Sequence, residues 1–354
     1  MLPLRPLLIL LTMLLVACSV QGGAKQLPPE RDLPAKSGAE AVVSDDQTNG
    51  LPPGFDVQGH RGARGLRPEN SLPAFETALD LGVSTLELDL HFTADQQVVI
   101  WHDDKIDKEK CGLDPDTAVD VRDPDSLVDW GSELMISQLT LEQVQAYRCD
   151  RNPDPERFPM QQNGPTDLAG DYYRIISLAE LFDFVDTYAE SEQKGREQRE
   201  NADMIVFNME TKRKPDSPNA IGDGFDGVNP GPFEMEILDL IKEYGLEDRV
   251  TIQSFDHRSL WVIRSINPDI SLAALTSGGV PNPPGYAEKG ATIWSPNYRD
   301  VSPAMVSKSH KVGLQVIPWT VNEAGDMRDL IEMGVDGIIS DRPDVLLELD
   351  RAGE

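Results

Sequence analysis

The 354-residue sequence predicts an α/β fold: a closed, parallel (β/α)8 barrel of the TIM type with an insertion after the third strand. Three observations carry that reading. Short strand-like segments recur about eight times from Asp56 onward, with helix-periodic segments between them, the rhythm of parallel strands joined by helices. No G-x-G-x-x-G phosphate loop follows the first strand, which weakens the rival, a doubly wound open sheet. Charged and imidazole side chains also stand at the C-terminal ends of strand after strand, where such barrels gather functional groups.

Residues 1–17 read as an export signal. Arg5 gives a thin positive start, and the apolar run Leu7–Ala17 is too short to span a bilayer comfortably. Leu15, Val16, Ala17 and Cys18 resemble the lipobox of bacterial lipoproteins, which makes Cys18 the expected lipidation site and mature N-terminus. Ser19, with no Asp at that position, is compatible with outer-membrane sorting. The expected location is therefore the bacterial cell envelope, with the lipid as the only membrane attachment. Residues 18–54 are polar and rich in Pro and Gly, a flexible tether, and residues 55–354 form the folded domain. Hydrophobic content of 39% and charged content of 26% are globular values, whereas a formal charge of -29 disfavours nucleic acid and anionic lipid surfaces as partners.

Within the domain, "FDVQG" is a short strand, and "SLPAFETALDLG" places Leu72, Phe75, Ala78 and Leu79 at helical spacing, stopped by Gly82. Ser71 is the natural N-cap; Glu69 and Asn70 either serve a site or merely precede that helix. "STLELDLHF" and "QVVIWH" pair as a hairpin across Asp95 to Gln97. Residues 103–174 break the rhythm, rich in Asp, Pro and Gly, with one helix around "TLEQVQAYR" and apolar content too thin for a separate domain. They carry Cys111 and Cys149, a possible disulfide pair in an exported protein. The alternation then resumes: helix "SLAELFDFVDTYA", strand "ADMIVFNMETK", helix "PFEMEILDLIKEYG", strand "RVTIQSFD", helix "RSLWVIRSI", then strands "SLAALT", "ATIWSPN", "LQVIPWTVN" and "VDGIISD".

In "STLELDLHFT", alternation puts Leu86, Leu88 and Leu90 on one face and Glu87, Asp89 and His91 on the other. Strand ends also collect His60 and Arg61, His102, then Asn208, Glu210 and Lys212, and Trp319. Glu87, Asp89 and Glu210 offer oxygen without cysteine, a donor set for a hard cation such as Ca²⁺ or Mg²⁺. Such an ion would relieve their repulsion.

The segments "HRGARGLRPENSLPAF", "LELDLHFTAD", "VVIWHDD", "METK", "TIQSFD", "PWTVN" and "GVDGIISDRP" resemble, in order, the signature segments of the glycerophosphodiester phosphodiesterase family, from residue 57 to about 345. The resemblance implies hydrolysis of a small-molecule glycerophosphodiester to glycerol 3-phosphate and an alcohol, with one divalent cation. It implies Glu87, Asp89 and Glu210 as metal ligands and His60 and His102 as the proton-transfer pair. Arg61 and Lys212 would then clamp phosphate, and Trp319 would wall the substrate pocket or fill the barrel. His91, His257 and His310 match no catalytic position. Two departures stand out: Gln96 follows Asp95 where the family usually has glycine, and "KIDKEKCG", with Lys108, replaces an Arg-Thr-Thr triplet. Rival readings are a phosphatidylinositol phospholipase C-like or phospholipase D-like phosphodiesterase on the same barrel, or a non-catalytic metal- or phosphate-binding lipoprotein. Oligomeric state is left open.

Overall fold

A computed structural model describes residues 50–126 and 134–351. The export signal, Cys18 and most of the tether lie outside the described residues.

The first strand, β1 (Asp56–Gly59), leads through a tight turn to α1 (Leu72–Leu81), whose start is capped by Ser71 and whose end is turned by Gly82 at φ 88. Next come the hairpin strands β2 (Thr85–Phe92) and β3 (Val98–Ile100), and the insertion with β4 (Gly112–Leu113), α2 (Leu141–Val144) and β5 (Tyr147–Arg148). Strand β6 (Ile176–Ser177) leads into α3 (Leu178–Glu190), where Ser177 and Glu180 form a reciprocal capping box. The remainder is α4 (Arg196–Ala202), β7 (Val206–Thr211), α5 (Pro232–Tyr244), β8 (Val250–Ser254), α6 (His257–Ile266), β9 (Ser271–Thr276), α7 (Pro283–Glu288), β10 (Ile293–Pro296), α8 (Pro303–His310), β11 (Gln315–Val316), α9 (Ala324–Glu332), β12 (Gly337–Ser340) and α10 (Pro343–Arg351).

Eight of these strands run parallel in the order β11-β10-β9-β8-β7-β2-β1-β12. The ring closes where Asp336 N–H meets Val316 O at 2.9 Å and Ile339 N–H meets Pro318 O at 3.0 Å. This is the expected (β/α)8 barrel, with one refinement. The "QVVIWH" strand is not a stave: β3 runs antiparallel to β2, and β6 pairs with it in turn. Gln96 takes φ 63 in the hairpin turn, the left-handed conformation that glycine would enter more cheaply. The insertion therefore lies between the second and third staves.

Alternation along β2 sorts its side chains as the sequence pattern requires. Leu86, Leu88 and Leu90 join the outer core against the helices, with Phe75, Leu79, Phe182 and Phe207. Inside, the lumen is divided. Ala273, Ile293, Ile317 and Ile339 make an apolar cluster on one side, with Trp319 against it. Opposite, Gln58 and Asn208 are buried and hydrogen-bonded to each other at 2.7 Å.

The insertion departs from expectation in two respects. It has an apolar cluster of its own, in which Ile106, Leu134, Ile136, Val144 and Tyr147 surround the disulfide-bonded Cys111 and Cys149 and pack on Val99 and Trp101. Its core thus leans on the hairpin, as an insertion's would. The expected helix around "TLEQVQAYR" is only one turn, because Tyr147 and Arg148 leave it to pair with Leu113 and Gly112. Among the described residues no helix is long and apolar enough to cross a membrane.

Candidate active site

The chain leaves β1 through His60, Arg61 and Gly62. Arg61 holds φ 53 and Gly62 φ 83; a Cβ on Gly62 would stand 2.6 Å from the Ala74 backbone, so α1 is seated against this turn only because that Cβ is missing. In that strained pose the Arg61 N–H donates to Glu87 Oε2 at 2.9 Å, and its side chain reaches Glu69 at 2.8 Å and Asp89 at 3.0 Å. Asn70, also left-handed at φ 55, donates to Asp89 Oδ2 at 2.9 Å, so it serves the site, while Ser71 caps the helix.

His60 is buried. Its Nδ1 lies 2.6 Å from Asp341 Oδ1, at the end of β12, and its Nε2 lies 3.8 Å from Glu87 Oε2. Arg64 grips the same Asp341 with two hydrogen bonds, of 2.7 and 2.9 Å. Burial, joined by the Arg64 charge, lowers the His60 imidazole to about 4 against the opposing pull of Asp341. Burial would raise the Asp341 carboxyl, but His60 and Arg64 hold it well below the usual range. The pair is therefore a neutral ring facing an ionised carboxylate, which assigns the Nδ1 proton to that contact.

His102 reaches the rim by another route. The chain climbs β2, turns, and descends β3, so that Trp101 N–H pairs with Asp89 O at 2.9 Å and His102 comes back level with the acids. Its Nδ1 lies 2.8 Å from Asp103 Oδ1. Lys110 bridges Asp103 Oδ2 at 2.5 Å and Glu69 Oε1 at 2.8 Å. The loop that departs from the family pattern thus sends Lys110 into the site, beside the disulfide, and Lys108 does not line the cavity. His91 is fully buried and faces the His102 carbonyl at 3.3 Å. His257 and His310 lie in local contacts with the Leu275 carbonyl and Asp336.

Glu87, Asp89 and Glu210 come together, with one oxygen from each within 4.8 Å of the others. Like charges at that spacing repel by roughly 3 kcal/mol per pair at an effective dielectric of about 20. Lys212 Nζ answers part of this, 2.9 Å from Glu210 and 3.3 Å from Asp89. Burial alone would raise Asp89; Arg61 and Lys212 hold it well below the usual range. Burial and the neighbouring Asp89 raise Glu87 instead, although Gln253 donates to its Oε1 at 2.8 Å. Asp89 Oδ1 is buried, and Lys212 Nζ, 3.3 Å away, faces it without completing a hydrogen bond. Three converging buried carboxylates, one of them raised and one with an oxygen left short of a full hydrogen bond, suit a hard divalent cation.

A cavity of about 390 Å³ opens over these groups. His60, His102, Arg61, Lys212, Glu87, Glu210 and Trp319 all line it; Asp89 is buried behind Arg61 and Lys212. Trp319 both walls the cavity, edge-on to Phe255 at 5.5 Å between ring centres, and caps the apolar side of the lumen. Sequence reasoning missed Asp341, Lys110, Gln253 and the insertion residues Arg157 and Phe158. Asp341 and Gln253 stood inside quoted signature segments; the insertion residues had no such signal.

Comparison with known proteins gives the family and the fold. A model of the glycerophosphoryl diester phosphodiesterase family matches residues 60–345. A glycerophosphodiester phosphodiesterase of Caldanaerobacter subterraneus is 29% identical over 84% of this chain and 98% of its own. The crystal structure of a Silicibacter pomeroyi protein bearing the same family designation aligns with a TM-score of 0.68 at 27% identity, covering 87% of this chain and 97% of that one. An Oleispira antarctica phosphodiesterase, solved in complex with the product sn-glycerol-3-phosphate, shares the fold with a TM-score of 0.60 at 18% identity, over 84% of this chain and 96% of that one.

Proposed function

The chain belongs to the glycerophosphoryl diester phosphodiesterase family, and from that premise we propose that it hydrolyses glycerophosphodiesters to glycerol 3-phosphate and an alcohol at this cavity. The observation that carries the reading is the convergence of two imidazoles, each with Nδ1 against a carboxylate, on one cavity with the acidic trio.

Glu87, Asp89 and Glu210 would hold a divalent cation, Ca²⁺ or Mg²⁺; when bound, it polarises the phosphoryl group and offsets the charge that builds up there. Arg61 and Lys212 orient the phosphate, the first as a planar fork and the second as a point charge. His60, neutral and held through Nδ1 by Asp341, takes the proton from the attacking oxygen on Nε2. Asp341 then faces an imidazolium it can stabilise. His102, held by Asp103, gives a proton to the leaving alcohol oxygen. The same two transfers serve attack by water and attack by the glycerol 2-hydroxyl with the roles later exchanged.

The chain is further proposed to be exported and anchored by lipid at Cys18. The Cys111–Cys149 disulfide supports that reading, because such bonds persist in oxidising compartments. The test of the activity is to supply glycerophosphocholine with and without chelator and to measure released glycerol 3-phosphate. Chelator-sensitive release is expected; no release from metal-replete protein would mark a binding protein instead.

A further inference from the structure

The cations around the cavity are committed to carboxylates, with one exception. Arg61 lies 2.8 Å from Glu69, Arg64 2.7 Å from Asp341, Lys110 2.8 Å from Glu69 and Lys212 2.9 Å from Glu210. Arg157, from the insertion, is the exception among the described cavity-lining residues. Its carboxylate neighbour, Asp341 Oδ2, is 3.9 Å away and already accepts from Arg64 and Asn322. Its side chain is 54% exposed.

Arg157 is nevertheless held in place. Its guanidinium stacks on the Phe158 ring at 5.0 Å, and Phe158 is itself buried, with Arg64 against the same ring at 4.9 Å. Asn152 donates to the Phe158 carbonyl at 2.9 Å, and Gln161 ties the segment to the Arg64 carbonyl at 2.7 Å. Of the two acids beside it, Asp154 also lines the cavity and accepts the Arg157 backbone N–H at 3.1 Å, while Glu156 is exposed and does not line the cavity.

The scissile phosphate carries one negative charge, and Arg61, Lys212 and a bound cation are already assigned to it in the reading above. Among the described cations that line the cavity, Arg157 alone is neither assigned to that phosphate nor within hydrogen-bonding distance of a carboxylate, and so is the one placed to meet a second anion. We propose that the insertion, through Arg157, makes this enzyme selective for glycerophosphodiesters whose alcohol carries an anionic oxygen group, a carboxylate or a further phosphate. The inference rests on the phosphodiesterase reading above. A guanidinium fork matches both groups, and its stacking on Phe158 limits the entropy lost on binding.

Two substrate pairs isolate the added anion. Glycerophosphoserine differs from glycerophosphoethanolamine by a carboxylate, and glycerophosphoinositol 4-phosphate differs from glycerophosphoinositol by a phosphate. The acidic member of at least one pair is expected to show about tenfold higher kcat/KM, carried by KM, as a half-exposed charged hydrogen bond would give. The responding pair says which anion is read. Arg157→Gln should bring that ratio toward one, and Arg157→Lys should keep part of it. Absence of discrimination in the wild type, or a ratio that survives Arg157→Gln, overturns the proposal. So does an equal loss of kcat on all four substrates, the result if Arg157 merely supported Asp341 and His60. Turnover of none of the four by the wild type would overturn the phosphodiesterase reading as well.

Discussion

Asp341 decides what His60 can do. A ring buried beside Arg64 is held neutral, and a neutral imidazole accepts a proton only where its lone pair points; the 2.6 Å contact at Nδ1 turns Nε2 toward the cavity. Asp341→Asn should therefore lower kcat by roughly 10²-fold or more with little change in KM, because the amide can present the wrong tautomer. Steady-state kinetics on glycerophosphocholine would check this, and an unchanged kcat would remove Asp341 from the proton path. His60→Ala and His102→Ala should each abolish turnover while circular dichroism stays native. Equal activity in either variant would contradict the acid-base assignment. Glu87→Gln addresses the other half of the site. It should raise the Ca²⁺ or Mg²⁺ concentration needed for half-maximal activity, and an unaltered titration would exclude Glu87 as a ligand.

At the scale of elements, the insertion is tied down at both ends, and each tie gives a measurable consequence. The N–H groups of Leu168 and Ala169 donate to Glu76 of α1, which also pairs with the buried Lys194 at 2.7 Å. Burial alone would raise the Glu76 carboxyl, but Lys194 and these donors hold it low. A depressed folded value means the stabilisation is complete above the ordinary Glu value of about 4.3 and is lost as pH falls through the folded one. Glu76→Gln should cost about 3 kcal/mol near neutrality and flatten the acid side of a Tm-against-pH curve. At the other end, reducing Cys111–Cys149, 38 residues apart, should cost about 2–4 kcal/mol. Because Lys110 adjoins Cys111 and braces Asp103, turnover should fall with it, and thiol titration run alongside activity would show whether the two losses coincide.

Much of this was legible in the sequence. Leucine alternation in β2, the Ser71 cap and Gly82 stop of α1, and the acids at strand ends all depend on local spacing, and each lies where the pattern puts it. Asp341 was not legible as a partner of His60, since "SDRP" reads equally well as the start of a helix and the contact spans the whole chain. Nor was the antiparallel sense of β3 weighed in counting staves, although its short turn to β2 permits no other pairing. Lys110 and Arg157 flank the disulfide-closed loop of an irregular insertion, and no periodicity encodes how that insertion folds back.

For the whole molecule, if lipid is attached at Cys18 as proposed, the charge of -29 would keep the domain from adhering to an anionic surface. Cys18→Ser should therefore move the protein from the membrane to the soluble fraction on cell fractionation while kcat on a water-soluble diester stays the same. Retention in the membrane would show that something other than lipid holds it. Ring closure carries a final consequence. His60 is positioned by a residue 281 positions downstream, across the β1–β12 seam. On the proposed mechanism, activity therefore depends on closure of this seam as well as on the residues that face the cavity.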